Sequence, residues 1–159
     1  MKNNQGKFEI LCVTKEEECQ ELDRILWEVL WKPFTLPRNI RDSFKLEGKH
    51  LELAAKQGSN ILGGLVAYWI SAEEVELRHI AVQPEYQGKC IGTMLVRRLV
   101  EIVRKKGLSC IRTCARNSSI KFFSKLGFVP MDEQALEHPA FSEHGITFQH
   151  MQYTLKARE

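Results

Sequence analysis

Residues 87–93 read Gln-Gly-Lys-Cys-Ile-Gly-Thr and open a run with helical spacing. A helix start carries backbone N–H groups without intrahelical partners and a partial positive charge, so an anion sits well there. Gly88 and Gly92 let those N–H groups approach a ligand closely, because no Cβ intervenes. Lys89 adds a full positive charge and Thr93 a hydroxyl. Pyrophosphate is the natural ligand of such a cradle. Taken alone, the same stretch reads better as a tight turn with a helix cap, since short glycine motifs recur by chance. Neither GxxxxGK[ST] nor GxGxxG is present, and the strand before the turn is the fourth of the chain, not the first.

The elements that must hold this turn follow in order. Phe8–Val13 alternates and predicts a first strand. Thr14-Lys15-Glu16-Glu17 has the form of a capping box. Cys19, Leu22, Ile25, Leu26, Val29 and Leu30 continue at helical spacing, and Pro33 and Pro37 end that helix. Asn39–Leu46 predicts a second short helix. His50–Lys56, Ile61–Ile70 and Glu74–Val82 read as three more strands, with a hairpin signal over 57–60 and Pro84 as a stop. The period then changes. Ile91, Leu95, Leu99, Ile102 and Val103 form one helical stripe, Glu101 can pair with Lys105, and Arg104-Lys105-Lys106 before Gly107 suit a helix end. Leu108–Ala115 predicts a buried strand and Asn117–Leu126 a short helix. A sixth strand begins at Phe128 and a seventh covers Ile146–Leu155, with a loop over 133–144 between them. The strand–helix–strand unit across 74–115 requires a parallel pair with a right-handed crossover. The expectation is an α/β chain with a mixed, mostly antiparallel sheet, one domain over 1–159.

Composition narrows the function classes. The 159 residues are 43% hydrophobic and 27% charged, the range of an ordinary globular domain. Net charge is +3 and no dense basic block occurs, which argues against nucleic acid as partner. No apolar run is long enough to span a bilayer, and residues 1–10 lack a secretory h-region. Five cysteines, Cys12, Cys19, Cys90, Cys110 and Cys114, have no metal-finger spacing. They read as reduced thiols of a cytoplasmic protein, with no metal site.

The strand LRHIAV (77–82), the turn QGKCIG (87–92), the amphipathic helix after it and ARNSSIKFFSKLGF (115–128) together resemble the GNAT superfamily of acyl-CoA-dependent N-acetyltransferases. The family turn runs Gln/Arg-Gly-x-Gly-x-Gly/Ala, and here Cys90 replaces its middle glycine. The likeness is strongest from Glu74 to Phe128. It looks closest to small bacterial members with an "AR…FYeklGF" segment; Gly145–Met151 matches their "giphxxM" strand in part. The resemblance implies about seven strands and four helices, with the fourth and fifth strands parallel and splayed apart.

It also implies roles. Backbone amides from Gln87 through Gly88, Lys89, Cys90, Ile91 and Gly92 to Thr93 would hold the pyrophosphate of acetyl-CoA. Ile80, Ala81 and Val82 would bond the pantetheine as if it were another strand. Arg116, Asn117 and Lys125 are further coenzyme contacts, and Phe122 and Phe123 pack on the pantetheine arm. Cys90 fits if its backbone is helical; its Cβ becomes a problem only at positive φ. It is also a candidate oxidation site.

The implied reaction is direct attack of an amine on the thioester. Glu76 is the candidate base, because family members place Glu or His four residues before Ile-Ala-Val. Simple alternation puts Glu76, Arg78, Ile80 and Val82 on one face and His79 on the other. Glu76 reads alternatively as an edge carboxylate or as the partner of Arg78. The family's usual acid is a Tyr at the position of Phe123, which has no proton to donate. Trp27, Trp31, Phe34 and Phe141, with His138 and His144, would shape the acceptor site. The acceptor is open among a small amine, an amino acid and a protein N-terminus, and a homodimer is open too. The competing expectation is a catalytically weak domain that binds acyl-CoA as a sensor.

Overall fold

The computed structural model describes residues 7–44, 47–133, 135 and 137–155. Residues 45–46, at the end of the predicted second helix, and positions 134 and 136 of the predicted loop lie outside them. The strands are β1 (Glu9–Cys12), β2 (His50–Gln57), β3 (Asn60–Trp69), β4 (Glu74–Val82), β5 (Cys110–Arg116), β6 (Val129–Pro130) and β7 (Phe148–Thr154). The helices are α1 (Glu16–Leu26), α2 (Ile91–Lys105), α3 (Ile120–Lys125) and α4 (Pro139–Ser142). The sheet order is β1-β2-β3-β4-β5-β7-β6, antiparallel throughout except for β4 beside β5. Seven strands and a parallel central pair match the expected sheet.

The two faces of the sheet bury different helices. On one face Leu53, Leu65, Val75, Leu77 and Ile111 meet the α2 stripe of Ile91, Leu95, Leu99 and Val103. On the other, Ala54, Val66, Tyr68 and Ala81 meet Leu22, Ile25 and Leu26 of α1. Gly64 permits the close crossing of α1, since a Cβ there would lie 2.5 Å from Leu22 Cδ1 and 2.5 Å from the carbonyl oxygen of Leu53.

Several local expectations are corrected. The Thr14 capping box does not form. Val13 N–H donates to Glu52 O at 2.8 Å, which keeps the chain extended, and the helix starts at Glu16 with Lys15 as its uncapped N-cap. Glu16, Glu17 and Glu18 instead place negative charge at the positive helix end. The first helix runs on from α1 as a π-helical stretch, Trp27–Trp31, and the helical run ends there, directly before the 3₁₀ turn Lys32–Phe34 that carries Pro33. Within the predicted second helix, Ile40–Phe44 is 3₁₀. Glu101 pairs with Arg98, at 3.0 Å, rather than with Lys105.

Candidate active site

The site begins where two strands part. The β4–β5 register runs from Glu74↔Cys110 to Leu77↔Thr113 and ends there. At this vertex Thr113 Oγ1 donates to Leu77 O at 3.0 Å. Immediately beyond, β4 carries a bulge: Leu77 faces Ala67 and His79 faces Val66, so Arg78 is the extra residue. A bulge bends its strand and adds twist, which carries β4 away from β5. A cleft of about 310 Å³ opens there, lined by Glu76–Ile80 of β4 and Thr113–Arg116 of β5, with Trp31, Phe44, Phe141 and Phe148 among its walls.

The bulge overturns the expected face pattern. Val75 and Leu77 belong to the α2-side core, and past the bulge Ile80 and Val82 pack on that same side. Glu76, which alternates against Val75 and Leu77, therefore shares the α1 side with His79 and not with Ile80 and Val82. His79 does not sit in a separate core; its ring meets Trp31 edge-on at 5.1 Å and lines the cleft. Burial, together with the positive charges of Arg41, Arg78 and Arg116, pushes its pKa down to about 3. The imidazole is neutral at working pH and a poor base.

Glu76 is held by Arg78, whose Nη1 donates to Glu76 Oε1 at 3.3 Å while its Nη2 donates to Phe44 O at 2.8 Å. Cys114 lines the cleft beside them. Burial, reinforced by the Glu76 charge, pushes its thiol pKa up, so the thiolate needed for an acyl-enzyme is disfavoured.

The turn follows the end of β4. Gln87 does not offer its amide outward: its N–H donates to Pro84 O at 3.3 Å, and its side chain donates to Val82 O at 2.9 Å. Gln87 thus ties the turn to the end of β4. The N–H groups of Gly88, Lys89, Cys90, Ile91, Gly92 and Thr93 make no hydrogen bond to a described residue, and the first helical bond is Met94 N–H to Cys90 O at 3.0 Å. Gly88 has φ +80° and Cys90 φ +64°. Cys90 is therefore left-handed, the case in which its Cβ is a problem, which explains why a glycine suits this position. Space at Gly92 is tight: a Cβ there would lie 3.3 Å from the Phe122 ring.

The remaining expected residues divide. Phe122 lies against the turn, while Phe123 is a core residue that also lines the cleft, edge-on to Phe122 and Phe128. Lys125 is exposed. The Asn117 side chain is engaged within the fold, donating to Gly145 O at 3.2 Å and accepting from Thr147 N–H at 3.4 Å. Arg116 lies on the α1 side of β5, across the sheet from α2 and its turn, where its Nη2 donates to Leu30 O at 2.8 Å.

Of the expected acceptor residues, Trp31, Phe141 and His138 line the cleft. Phe34 lies under Arg116, and His144 packs on Phe34. Trp27 pins the following loop through Nε1–H to Leu36 O at 3.0 Å. Phe44, Cys114 and Phe148 were not anticipated. Alternation along β5 from Arg116 would have found Cys114; the others depend on loop placement.

The sheet is thus wedged open between two parallel strands, with uncommitted amides in the turn after β4 and ionisable groups among aromatics in the cleft. The acetyltransferase (GNAT) family model matches residues 16–128. The chain belongs to that family. A curated relative, the putative [ribosomal protein bS18]-alanine N-acetyltransferase of Bacillus subtilis, is 29% identical over 90 residues, 55% of this chain and 58% of the relative. The chain thus matches little more than half the length of that relative. The ribosomal-protein-S18-alanine N-acetyltransferase of Escherichia coli shares the fold, with TM-score 0.76 and 17% identity over 96% of this chain and 97% of that one. PaiA N-acetyltransferase of Thermoplasma acidophilum, solved with coenzyme A, has TM-score 0.68 and 21% identity over 94% and 99% of the two chains. Among the described residues no helix is long and apolar enough to cross a membrane.

Proposed function

We propose that this chain is an acetyl-CoA-dependent N-acetyltransferase acting on a primary amine by direct attack. The observation that carries the reading is the row of uncommitted N–H groups from Gly88 to Thr93 beside the β4–β5 split. That arrangement fits a pyrophosphate bound at the turn with an extended, amide-containing arm running into the split, where the ends of β4 and β5 offer backbone groups no longer used between them. Bound acetyl-CoA supplies an activated acetyl thioester. Glu76 takes the proton that the attacking amine gives up, directly or through water, and Arg78 keeps its carboxylate turned to the cleft. Neutral His79 offers a hydrogen-bonding ring without adding charge. Phe123 gives no proton, so water protonates the departing thiolate. With five free cysteines, the reading takes the enzyme to be cytoplasmic.

Two features favour the second reading, an acyl-CoA sensor: Phe123 in place of the usual acid, and the left-handed Cys90 in the turn. A thermal-shift titration with acetyl-CoA, followed by thiol release across an amine panel, separates the two. Stabilisation with turnover supports the enzyme, stabilisation without turnover supports the sensor, and neither effect removes both.

A further inference from the structure

We propose that Arg116 forms a carboxylate-binding subsite, so that the acceptor is a small aminocarboxylate of the amino-acid class. The proposal rests on the N-acetyltransferase reading and names its second substrate.

Arg116 is a mostly buried cation whose fork is largely uncommitted. Of its five N–H donors, one is used within the fold, by Leu30 O at 2.8 Å. No carboxylate of the described residues pairs with it, and burial alone lowers its pKa, to about 10. Its neighbours behave differently. Arg78 is bonded to Glu76 and Phe44 O, Arg41 to Glu52 and Asp23, and Arg112 to Glu74. Arg116 alone among these lines the cleft without an acidic partner. The centroids of the Phe141 and Phe34 rings lie 5.3 Å and 5.6 Å from its guanidinium carbon. A planar guanidinium with free donors suits a bidentate carboxylate.

The spacing matches an amine at one end and an acid at the other. Glu76 is in register with Arg112, and Arg112, Cys114 and Arg116 share one face of β5. Arg116 is thus four residues along, about 13 Å between Cα positions. Both side chains line the cleft, Glu76 where the amine would give up its proton and Arg116 toward the acid. The aromatic wall of the same cleft accepts an apolar side chain. A di- or polyamine would meet the unpaired cation and be repelled.

The test compares N-acetyl-leucine with N-acetyl-leucinamide for binding to the coenzyme A-loaded chain by calorimetry, and leucine with leucinamide, isoamylamine, a diamine and an alanine-initiated peptide as acceptors. The acid of each pair should be favoured at least about tenfold. In Arg116→Ala the acid-to-amide ratio should collapse toward one, and Arg116→Lys should restore part of it. Equal binding of acid and amide, or a preference for the peptide or the diamine, overturns the proposal while leaving the transferase reading standing. The pair comparison on the unaltered chain needs no folded variant. Because the calorimetry needs no turnover, it also decides the subsite if the chain proves to be a sensor; binding of neither acetylated ligand overturns it. Failure of the transferase reading shows separately, as no thiol release from acetyl-CoA with any acceptor of the panel.

Discussion

Leu77 and Thr113 are the last partners of the parallel β4–β5 ladder, and the Thr113 hydroxyl closes the vertex on Leu77 O at 3.0 Å. Everything that makes the cleft lies beyond this pair. Thr113 is only 3% exposed, so its hydroxyl has little access to other partners.

Thr113→Val keeps the shape and removes the bond, leaving a buried carbonyl with one acceptor position unfilled. A loss of about 1–2 kcal/mol is expected in urea denaturation. A variant as stable as the parent would show that the vertex is held by packing alone.

Cys90 has φ +64° in the exposed turn before α2. A left-handed residue with a Cβ costs roughly 1 kcal/mol or more. Cys90→Gly should therefore stabilise the chain by about 0.5–1 kcal/mol, after the larger chain entropy of glycine is allowed for. Cys90→Val should destabilise it, because a β-branched side chain tolerates positive φ least. Denaturation midpoints of the three proteins check the order Gly above Cys above Val.

Glu76→Gln retains the size of the side chain and its place beside Arg78 but removes the base. kcat/KM should fall about a hundredfold. Steady-state kinetics measures it. Unchanged kinetics would leave Glu76 as the structural partner of Arg78.

His79 makes the chain acid-sensitive. Its pKa is about 3 when folded and near 6.5 when unfolded. Between these values the unfolded chain binds more protons, so stability rises with pH and is lost as pH falls. The slope reaches about 1.4 kcal/mol per pH unit. From pH 6.5 to 5 the parent should lose about 2 kcal/mol relative to His79→Phe, whose ring keeps the contact with Trp31. Parallel losses in the two proteins would show that His79 is protonated in the folded state.

The succession of strands and helices along the chain was largely legible because periodicity is a local property. Strands such as Glu74–Val82 alternate and α2 carries a clear stripe, and the strand–helix–strand unit left only a parallel pair at the centre. What was not legible depends on single backbone departures. Nothing in Leu77-Arg78-His79-Ile80 announces that Arg78 is an extra residue, yet that bulge moves His79 into the cleft and separates Glu76 from Ile80. The conformation of Cys90 was likewise undecided by residue type, since cysteine has no preference for positive φ. Arg116 was read with the coenzyme because the family resemblance implied it; its side of the sheet becomes clear only from the alternation of Arg112, Cys114 and Arg116 against Ile111, Thr113 and Ala115.

The central claim is that the amides from Gly88 to Thr93 grip a diphosphate. An NMR titration of the isotope-labelled chain with coenzyme A, followed amide by amide, tests it most directly. The account predicts that these six resonances move together and saturate with ligand, while free pantetheine, which lacks the diphosphate, leaves them in place. If coenzyme A binds and these six stay still while amides elsewhere respond, the account is contradicted.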